Sequence, residues 1–256
     1  MRKVTLAALV TAGLAPFPAL AAEGDGETSS DGWSGELEFS YLLKRGNTES
    51  DSVVSKGDGE YEGENWRHTA EFEAVNTTAE NQTTGETERV AERYFLSYKL
   101  DRKLGEENYI FNVGTYEKDL FSGYHYRISY ALGYGRSILD TERHELSAEI
   151  GPGYRIRCLE PEDSYRNCEN HEDTPILRMA GQYRWDISES AVFREKISTE
   201  MSANEGSISR AETSLSSQIN DTLTLRLSHL IKHSSQVPAG TENTDQEITV
   251  SLVVGF

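Results

Sequence analysis

QEITVSLVVGF, the stretch at residues 246–256, alternates apolar and polar side chains up to its last position. One face of this segment carries only apolar side chains, namely Ile248, Val250, Leu252, Val254 and Phe256. A period of two residues is the signature of a β-strand with one apolar face. A strand that contacts lipid on one side and a polar lumen on the other has this pattern. The stretch therefore predicts one strand of a membrane β-barrel.

The same alternation recurs along most of the chain. It is clearest at residues 124–135, where one face carries Tyr124, Tyr126, Ile128, Tyr130, Leu132 and Tyr134. We count twelve such segments between Trp33 and Phe256, and most have about the length that crosses a membrane at a tilt. The sequence therefore predicts an all-β fold, a twelve-stranded antiparallel transmembrane β-barrel over residues 33–256.

The predicted connections alternate between two sets. The first set, which contains the three longest connections, lies at 44–50, 76–88, 119–123, 158–173, 203–206 and 234–244. The second set is short, at 63–65, 101–107, 140–143, 186–189 and 220–222. Outer-membrane barrels have long external loops and short periplasmic turns. This alternation favours a barrel over a sandwich of two sheets and predicts that both termini are periplasmic.

Composition and charge limit the class of protein. Only 36% of the residues are hydrophobic, yet there are 13 tyrosines, as expected where only every second strand residue must be apolar. The formal net charge is −18. Nucleic-acid binding requires a basic surface, so nucleic acid is excluded as a partner. The row of tyrosines indicates an interfacial aromatic girdle.

The N-terminus has the features of a secretory signal peptide. A positively charged start precedes an apolar segment at residues 6–14 and a small-residue cleavage site. We place the cleavage after Ala21, with Ala22 as the neighbouring alternative. Residues 1–21 are then the signal peptide and residues 22–32 a flexible leader, and the mature charge is about −20. After the signal peptide the sequence contains no run of about 18 apolar residues, so no transmembrane helix is predicted.

Two cysteines, Cys158 and Cys168, remain in the exported chain. An even count in an oxidising compartment predicts one disulfide that closes a short loop. A metal site that includes His171 is the alternative. The loop is also the densest acidic patch, and we expect either a solvated surface or bound cations such as Ca²⁺ there; its acidic residues are Glu160, Glu162, Asp163, Glu169, Glu172 and Asp173.

With the apolar face outward, the opposite face of each strand lines the lumen. The candidate lumen charges are Glu36, Glu38, Glu71, Glu73, Arg93, Arg127, Glu145, Glu149, Arg178, Arg210, Glu212 and Arg226. Side chains of opposite sign are expected to meet across the interior as paired networks. The functional alternative is a narrow polar pathway whose charges select a small solute. No cofactor is predicted.

The sequence contains no nucleotide-binding loop, zinc signature or nucleophile elbow. His229 lies on the apparent outer face, with Ser228 and Ser234 nearby, which leaves a lipid hydrolase as a minor alternative. Adjacent strand residues point to opposite faces, so Ser228 and His229 cannot pair within the strand. We therefore expect a non-catalytic protein, either a structural barrel or a narrow pore. A surface receptor or adhesin that uses the acidic loops is the other alternative.

Glycines and the last residue carry two further expectations. Gly133, Gly135, Gly151 and Gly153 lie in strands and are interpreted as relief for a crowded lumen or a bend. Closure of the barrel requires the row from Ile248 to Phe256 to pair with residues 37–43.

Several motifs together resemble one bacterial family of unknown function, whose members are labelled salt-induced outer-membrane proteins (YdiY-like). They are GNTES at 46–50, WRH at 66–68, FSGYHYR at 121–127, LDTER at 139–143 and GPGYR at 151–155. The resemblance implies a Gram-negative outer-membrane barrel and supplies no reaction, ligand or catalytic residue. Phe256 also resembles the C-terminal aromatic residue that the barrel-assembly machinery recognises. The expected partners are outer-membrane lipid and, during biogenesis, this machinery and periplasmic chaperones.

Overall fold

The computed structural model describes residues 32–44, 50–80, 87–119, 124–158, 171–237 and 242–256. Within these ranges it has twelve β-strands: β1 Gly32–Lys44, β2 Ser50–Glu62, β3 Trp66–Glu80, β4 Thr87–Lys103, β5 Asn108–Asp119, β6 Tyr124–Asp140, β7 His144–Cys158, β8 His171–Ser188, β9 Ala191–Ser202, β10 Gly206–Gln218, β11 Leu223–Ser234 and β12 Thr244–Gly255. No helix in the described residues is long and apolar enough to cross a membrane. The predicted signal peptide and nearly all of the leader lie outside the described residues.

Each strand pairs antiparallel with its neighbours in sequence, and β12 pairs with β1 to close the sheet. The predicted all-β, twelve-stranded antiparallel barrel is thereby confirmed in the part of the chain that the structure describes. Successive residues of each strand point alternately to the outside and to the inside of the barrel wall. On β6, for example, Ile128, Tyr130 and Leu132 are exposed on the outside, whereas Ser129 and Ala131 are buried inside.

The connections differ from the prediction at several boundaries. β3 continues to Glu80 and β4 begins at Thr87, so much of the expected loop at 76–88 is strand. β8 begins at His171, which places Glu172 and Asp173 of the acidic patch in a strand. Polar residues can extend a strand beyond its apolar row because backbone pairing does not depend on side-chain polarity. We call the end with connections 63–65, 104–107, 141–143, 189–190 and 219–222 the turn end, and the opposite end the loop end.

Glycines bring β6 and β7 unusually close together. A Cβ added to Gly133 would lie 2.3 Å from the Ile150 carbonyl oxygen and 2.6 Å from the Gly151 Cα. A Cβ on Gly135 would lie 2.2 Å from the ring of Tyr109. Only glycine fits where a second backbone or a ring lies this near, and such positions allow a barrel wall to bend. These contacts agree with the interpretation of the strand glycines as relief for a crowded interior.

The join between β1 and β12 corrects one expectation. Full pairing of residues 37–43 with residues 248–256 is wrong, because the ladder joins only Glu36–Phe39 to Leu252–Gly255. Beyond it, β1 stays paired with β2 up to Lys44, and β12 stays paired with β11 up to Thr244. The two strands therefore separate toward the loop end because each follows its other neighbour.

Phe256 fastens this join at the turn end. Its N–H donates to the Gly35 carbonyl oxygen and its carbonyl oxygen accepts from the Gly35 N–H, both at 3.0 Å. The ring covers Gly35, where an added Cβ would lie 2.5 Å from a ring carbon. The last residue thus extends the ladder by one pair and shields the glycine beside it.

Candidate functional site: the barrel lumen

A cavity of about 2350 Å³ occupies the barrel interior. Its lining includes Glu62 and Glu107 at the turn end and Asn243 and Asp245 at the loop end. Charged and hydroxyl side chains dominate the wall between these ends. The cavity therefore extends along the barrel from one end to the other.

The structure places all of the candidate lumen charges on this cavity wall: Glu36, Glu38, Glu71, Glu73, Arg93, Arg127, Glu145, Glu149, Arg178, Arg210, Glu212 and Arg226. Most of them are paired. Glu36 and Glu38 of β1 meet Arg226 of β11, with a distance of 3.1 Å between Arg226 Nη1 and Glu38 Oε2. Arg194 of β9 also reaches Glu36, at 3.0 Å. Charge is thus concentrated inside the barrel in pairs.

Several ion pairs cross the lumen. Lys196 Nζ of β9 lies 2.5 Å from Glu71 Oε1 of β3, and these two strands stand opposite each other in the closed sheet. The side chains of Lys232 on β11 and Glu117 on β5 also join opposite strands. Lys56 of β2 contacts Glu212 of β10 at 2.9 Å. These bridges cross the interior between strands that are not neighbours in the sheet.

Glu73 is a hub of this network. Its carboxylate accepts from Arg93 of the adjacent β4 and, at 2.6 Å, from Arg210 Nη2 of β10. Arg93 Nη2 also donates to Glu247 of β12 at 3.0 Å. Glu73 is almost fully buried, so this carboxylate depends on both guanidinium groups for its charge compensation.

Sequence reasoning missed part of the site. Lys56, Glu117, Arg157, Lys232 and Glu247 line the cavity but were not among the candidates. Glu117 follows a run of apolar residues on the same strand face, so the rule that apolar faces point outward places it on the wrong side. Lys56 lies in β2, where the alternation is weak. A count of acidic and basic residues at every second strand position would have found Lys56, since Asp58, Glu60 and Glu62 share its face, but not Glu117.

β5 reverses the expected orientation of the apolar face. Tyr109, Phe111 and Val113 point inward and form a small core with Ala131 of β6. Phe111 has no exposed surface. The Tyr109 hydroxyl donates to Glu149 at 3.0 Å, and Lys99 Nζ lies 5.0 Å from the ring centroid. The apolar side chains can lie flat because the adjacent positions on β6 are glycines.

The outer wall carries a few polar side chains among its apolar ones. Glu195 of β9 does share the outer face with Phe193 and Ile197, and its carboxylate accepts from Thr213 Oγ1 at 2.5 Å. His229 of β11 lies opposite Thr213 of β10, and its ring contacts the side chain of Gln246 at 3.3 Å. Ser228, the residue before it, is buried on the inner face. The serine and the histidine therefore stay on opposite faces of the strand.

The loop between β7 and β8 gives little information about a site. Cys158 is buried at the end of β7, opposite His171 in the ladder. Cys168 lies outside the described residues, as do Glu160, Glu162, Asp163 and Glu169, so the disulfide and the cation site remain predictions. Among the described residues, no three His, Cys, Asp or Glu side chains are grouped as metal ligands.

Solved barrels that this structure is similar to have low sequence identity. The translocator domain of autotransporter NalP from Neisseria meningitidis has a TM-score of 0.49 and 11% identity, covering 88% of this chain and 86% of that chain. The NanC porin has a TM-score of 0.46 and 9% identity, covering 88% and 98%. The outer membrane phospholipase of Salmonella typhi has a TM-score of 0.45 and 12% identity, covering 86% and 90%.

Sequence comparison identifies the family. The chain is 26% identical to "Uncharacterized protein YdiY" of Escherichia coli (strain K12) over 221 residues, which are 86% of this chain and 82% of that protein. The family model described as "Protein of unknown function, DUF481" matches residues 37–256. The resemblance inferred from the motifs is therefore confirmed, and the protein belongs to this DUF481 family.

Proposed function

We propose that the protein is a narrow pore for small solutes or ions in the outer membrane of a Gram-negative bacterium, with both termini in the periplasm. The observation that carries the proposal is the cavity of about 2350 Å³ that extends from the turn end to the loop end inside a closed wall. A closed barrel can cross a bilayer because its wall has no free sheet edge except where strands separate.

The outer face supports a membrane location. It exposes a continuous series of large apolar side chains, which a protein surrounded by water rarely presents. These include Phe39, Leu96, Tyr98, Ile128, Leu132, Ile150, Leu177, Ile197, Leu227 and Leu252. Lipid would cover these residues, and the polar lumen would remain hydrated.

The bridges across the lumen favour small solutes. Lys196–Glu71 and Lys56–Glu212 span the interior and leave the cavity to either side of them. Most of the lining charges are paired, so the partner of each charge weakens its electrostatic effect on a passing ion. We therefore expect a low conductance and weak selectivity between cations and anions.

Planar-bilayer recording of the refolded barrel tests the proposal. We expect small stepwise currents, and a larger conductance when Lys196→Ser and Glu71→Ser remove a bridge together. The matched control replaces Arg136 and Glu107 by Ser, because this exposed pair lies at the turn-end mouth of the cavity and forms no bridge across it. A folded barrel that carries no current would reject the pore and leave a structural role.

We also propose that Phe256 is read by the barrel-assembly machinery during insertion. Phe256 is 73% exposed although its backbone is paired with Gly35 and its ring covers that glycine, so much of the residue is accessible. Deletion of Phe256 is expected to reduce the outer-membrane fraction strongly, whereas Phe256→Tyr should preserve it. Normal membrane insertion of the truncated chain would contradict this role.

The proposed role is not catalytic. His229 faces outward and Ser228 is buried inside, so this pair offers no nucleophile and base on one surface. Incubation of the folded barrel with phospholipid, with and without Ca²⁺, should release no fatty acid above a protein-free control. Release that disappears in His229→Ala would overturn this assignment.

A further inference from the structure

The join between β1 and β12 is much shorter than the neighbouring joins. In the described residues its ladder has four pairs, from Glu36–Gly255 to Phe39–Leu252, and the Gly35–Phe256 pair extends it by one. The β1–β2 ladder, by contrast, continues to Lys44, and the β11–β12 ladder continues to Thr244. An uninterrupted register would place Tyr41 opposite Val250, but the strands have separated at that height.

Side-chain exposure marks the same place. The outward residues beside the missing ladder are Tyr41, Val250 and Ile248, which are 63%, 58% and 73% exposed. On the paired parts of the same strands, Phe39 of β1 and Leu252 of β12 are 56% and 49% exposed. Neighbouring strands normally cover part of each outward side chain, so this excess is the exposure expected beside a gap in the wall.

The lumen cavity reaches this gap. Tyr41, Ile248 and Val250 point outward along their strands, yet they line the cavity together with the inward residues Ser40 and Thr249. Outward residues of the continuous wall, such as Glu195 and Ile197 of β9, also line the cavity, so the gap itself is inferred from the short ladder and the side-chain exposure. The short ladder and the exposure point to a lateral opening in the loop-end half of the wall, between β1 and β12.

The side chains change from apolar to polar between the outside and the inside of the opening. Its outer edges are the apolar side chains of Tyr41, Ile248 and Val250, which would contact lipid. Directly inside are the hydroxyls of Ser40 and Thr249, with ion pairs Arg93–Glu247 and Arg226–Glu38 nearby on the inner wall. Unpaired strand edges in a hydrocarbon region need polar partners, which water or a polar head group from the lumen can supply.

We propose that single-chain amphiphiles pass between the lumen and the membrane through this opening. The hydrocarbon tail lies between the apolar edges while the polar head occupies the hydroxyl-lined space beside Ser40 and Thr249. The inference rests on the membrane location given under the proposed function. It adds to the axial pore a second, lateral path and a solute class with both a tail and a head.

Engineered cysteine pairs test whether the wall is open. In a Cys158→Ser, Cys168→Ser background, Leu37→Cys with Val254→Cys joins a ladder pair, and Tyr41→Cys with Val250→Cys spans the gap. Disulfides need Cα atoms within about 7 Å. In lipid, oxidation should cross-link the first pair only, whereas a long bis-maleimide should cross-link both. Complete oxidation of the Tyr41–Val250 variant would show a closed wall and overturn the opening.

Contact quenching tests the passage itself. A fluorophore is attached at Ser40→Cys beside the gap or at Ser198→Cys, a lumen-lining serine on the continuous wall of β9. Dibromostearate in the liposome should quench the first label several-fold more than the second. Equal quenching would show entry through the barrel mouth, and no quenching at Ser40 would show no access; either result overturns the proposal. Quenching without bilayer current would reject only the axial pore, and current without quenching only the lateral path.

Discussion

The two sides of the lumen are built on different physical principles. On the side of β5 and β6, Tyr109, Phe111, Val113 and Ala131 pack into a small apolar core against strand glycines. On the side formed by β1–β3 and β9–β11, charged side chains span open space, as in Lys196–Glu71. The comparison shows two ways to fill a barrel interior. Where glycines let aromatic rings lie against the wall, apolar packing fills the space; elsewhere, long side chains of opposite charge reach across it.

This division also predicts where solutes would pass in the proposed pore. Dispersion contacts in the packed side leave no room, because close packing fills the space beside Phe111. The bridged side retains open space around each ion pair, because two extended side chains fill much less volume than a packed layer of rings. In the proposed pore, a solute would therefore pass between charges, with the apolar side as a fixed wall.

The largest effect is expected at the glycines that permit the packed side. Gly133→Leu should prevent the barrel from folding, because its Cβ alone would collide with the Ile150 carbonyl and the Gly151 Cα. The matched control is Gly114→Leu, since no atom lies within 4 Å of a Cβ added there. Gel mobility of unheated samples separates folded from unfolded barrel. A folded Gly133→Leu barrel would show that β6 and β7 do not approach as described.

Phe111→Ala is expected to have the next largest effect. Removing a fully buried phenyl ring leaves a cavity and should lower the free energy of unfolding by about 3–5 kcal/mol. Phe39→Ala on the exposed outer face is the control and should cost clearly less. Urea titration of the refolded barrels measures both. Equal losses for the two variants would mean that the packed side contributes no core.

The sequence predicts the architecture because alternation is a local property. Each strand that carries Tyr or Leu on one face and charge or Ser on the other, as β6 and β12 do, shows its own orientation. β5 does not, because Tyr109, Phe111 and Val113 alternate with Ile110, Asn112 and Tyr116, so neither face is clearly lumenal. Its orientation depends on the glycines of the next strand, which periodicity within β5 cannot reveal.

The sequence does not predict which charged residues form ion pairs across the lumen, for a different reason. Lys196 and Glu71 are separated by 125 residues, and their contact depends on the register of every strand between them. Alternation places each charge on the inner face, but not at a height or opposite a given strand. The short β1–β12 join has the same origin, since the apolar rows of both strands continue beyond the last ladder pair.

On the bridged side, Glu73→Gln should lower the free energy of unfolding by about 3 kcal/mol, because Arg93 and Arg210 lose a buried counter-charge. The same change adds net positive charge to the lumen and should shift the reversal potential toward anion selectivity. Glu107→Gln is the control: its pair with Arg136 is exposed, and its loss should cost less than about 1 kcal/mol. Unchanged selectivity in Glu73→Gln would place the solute path away from Glu73.

The smallest effect is expected from exchanging the two charges of one bridge. Lys196→Glu or Glu71→Lys alone puts like charges opposite each other, so either variant should be less stable than the wild-type barrel. The double exchange restores an ion pair across the same strands and should return the unfolding free energy to within about 1 kcal/mol, with a coupling that urea titration resolves. Full recovery would mean that the bridged side needs only opposite charges at matched heights, unlike the packed side, where shape decides. Failure to recover would instead show that neighbouring charges such as Arg210 fix the direction of each bridge.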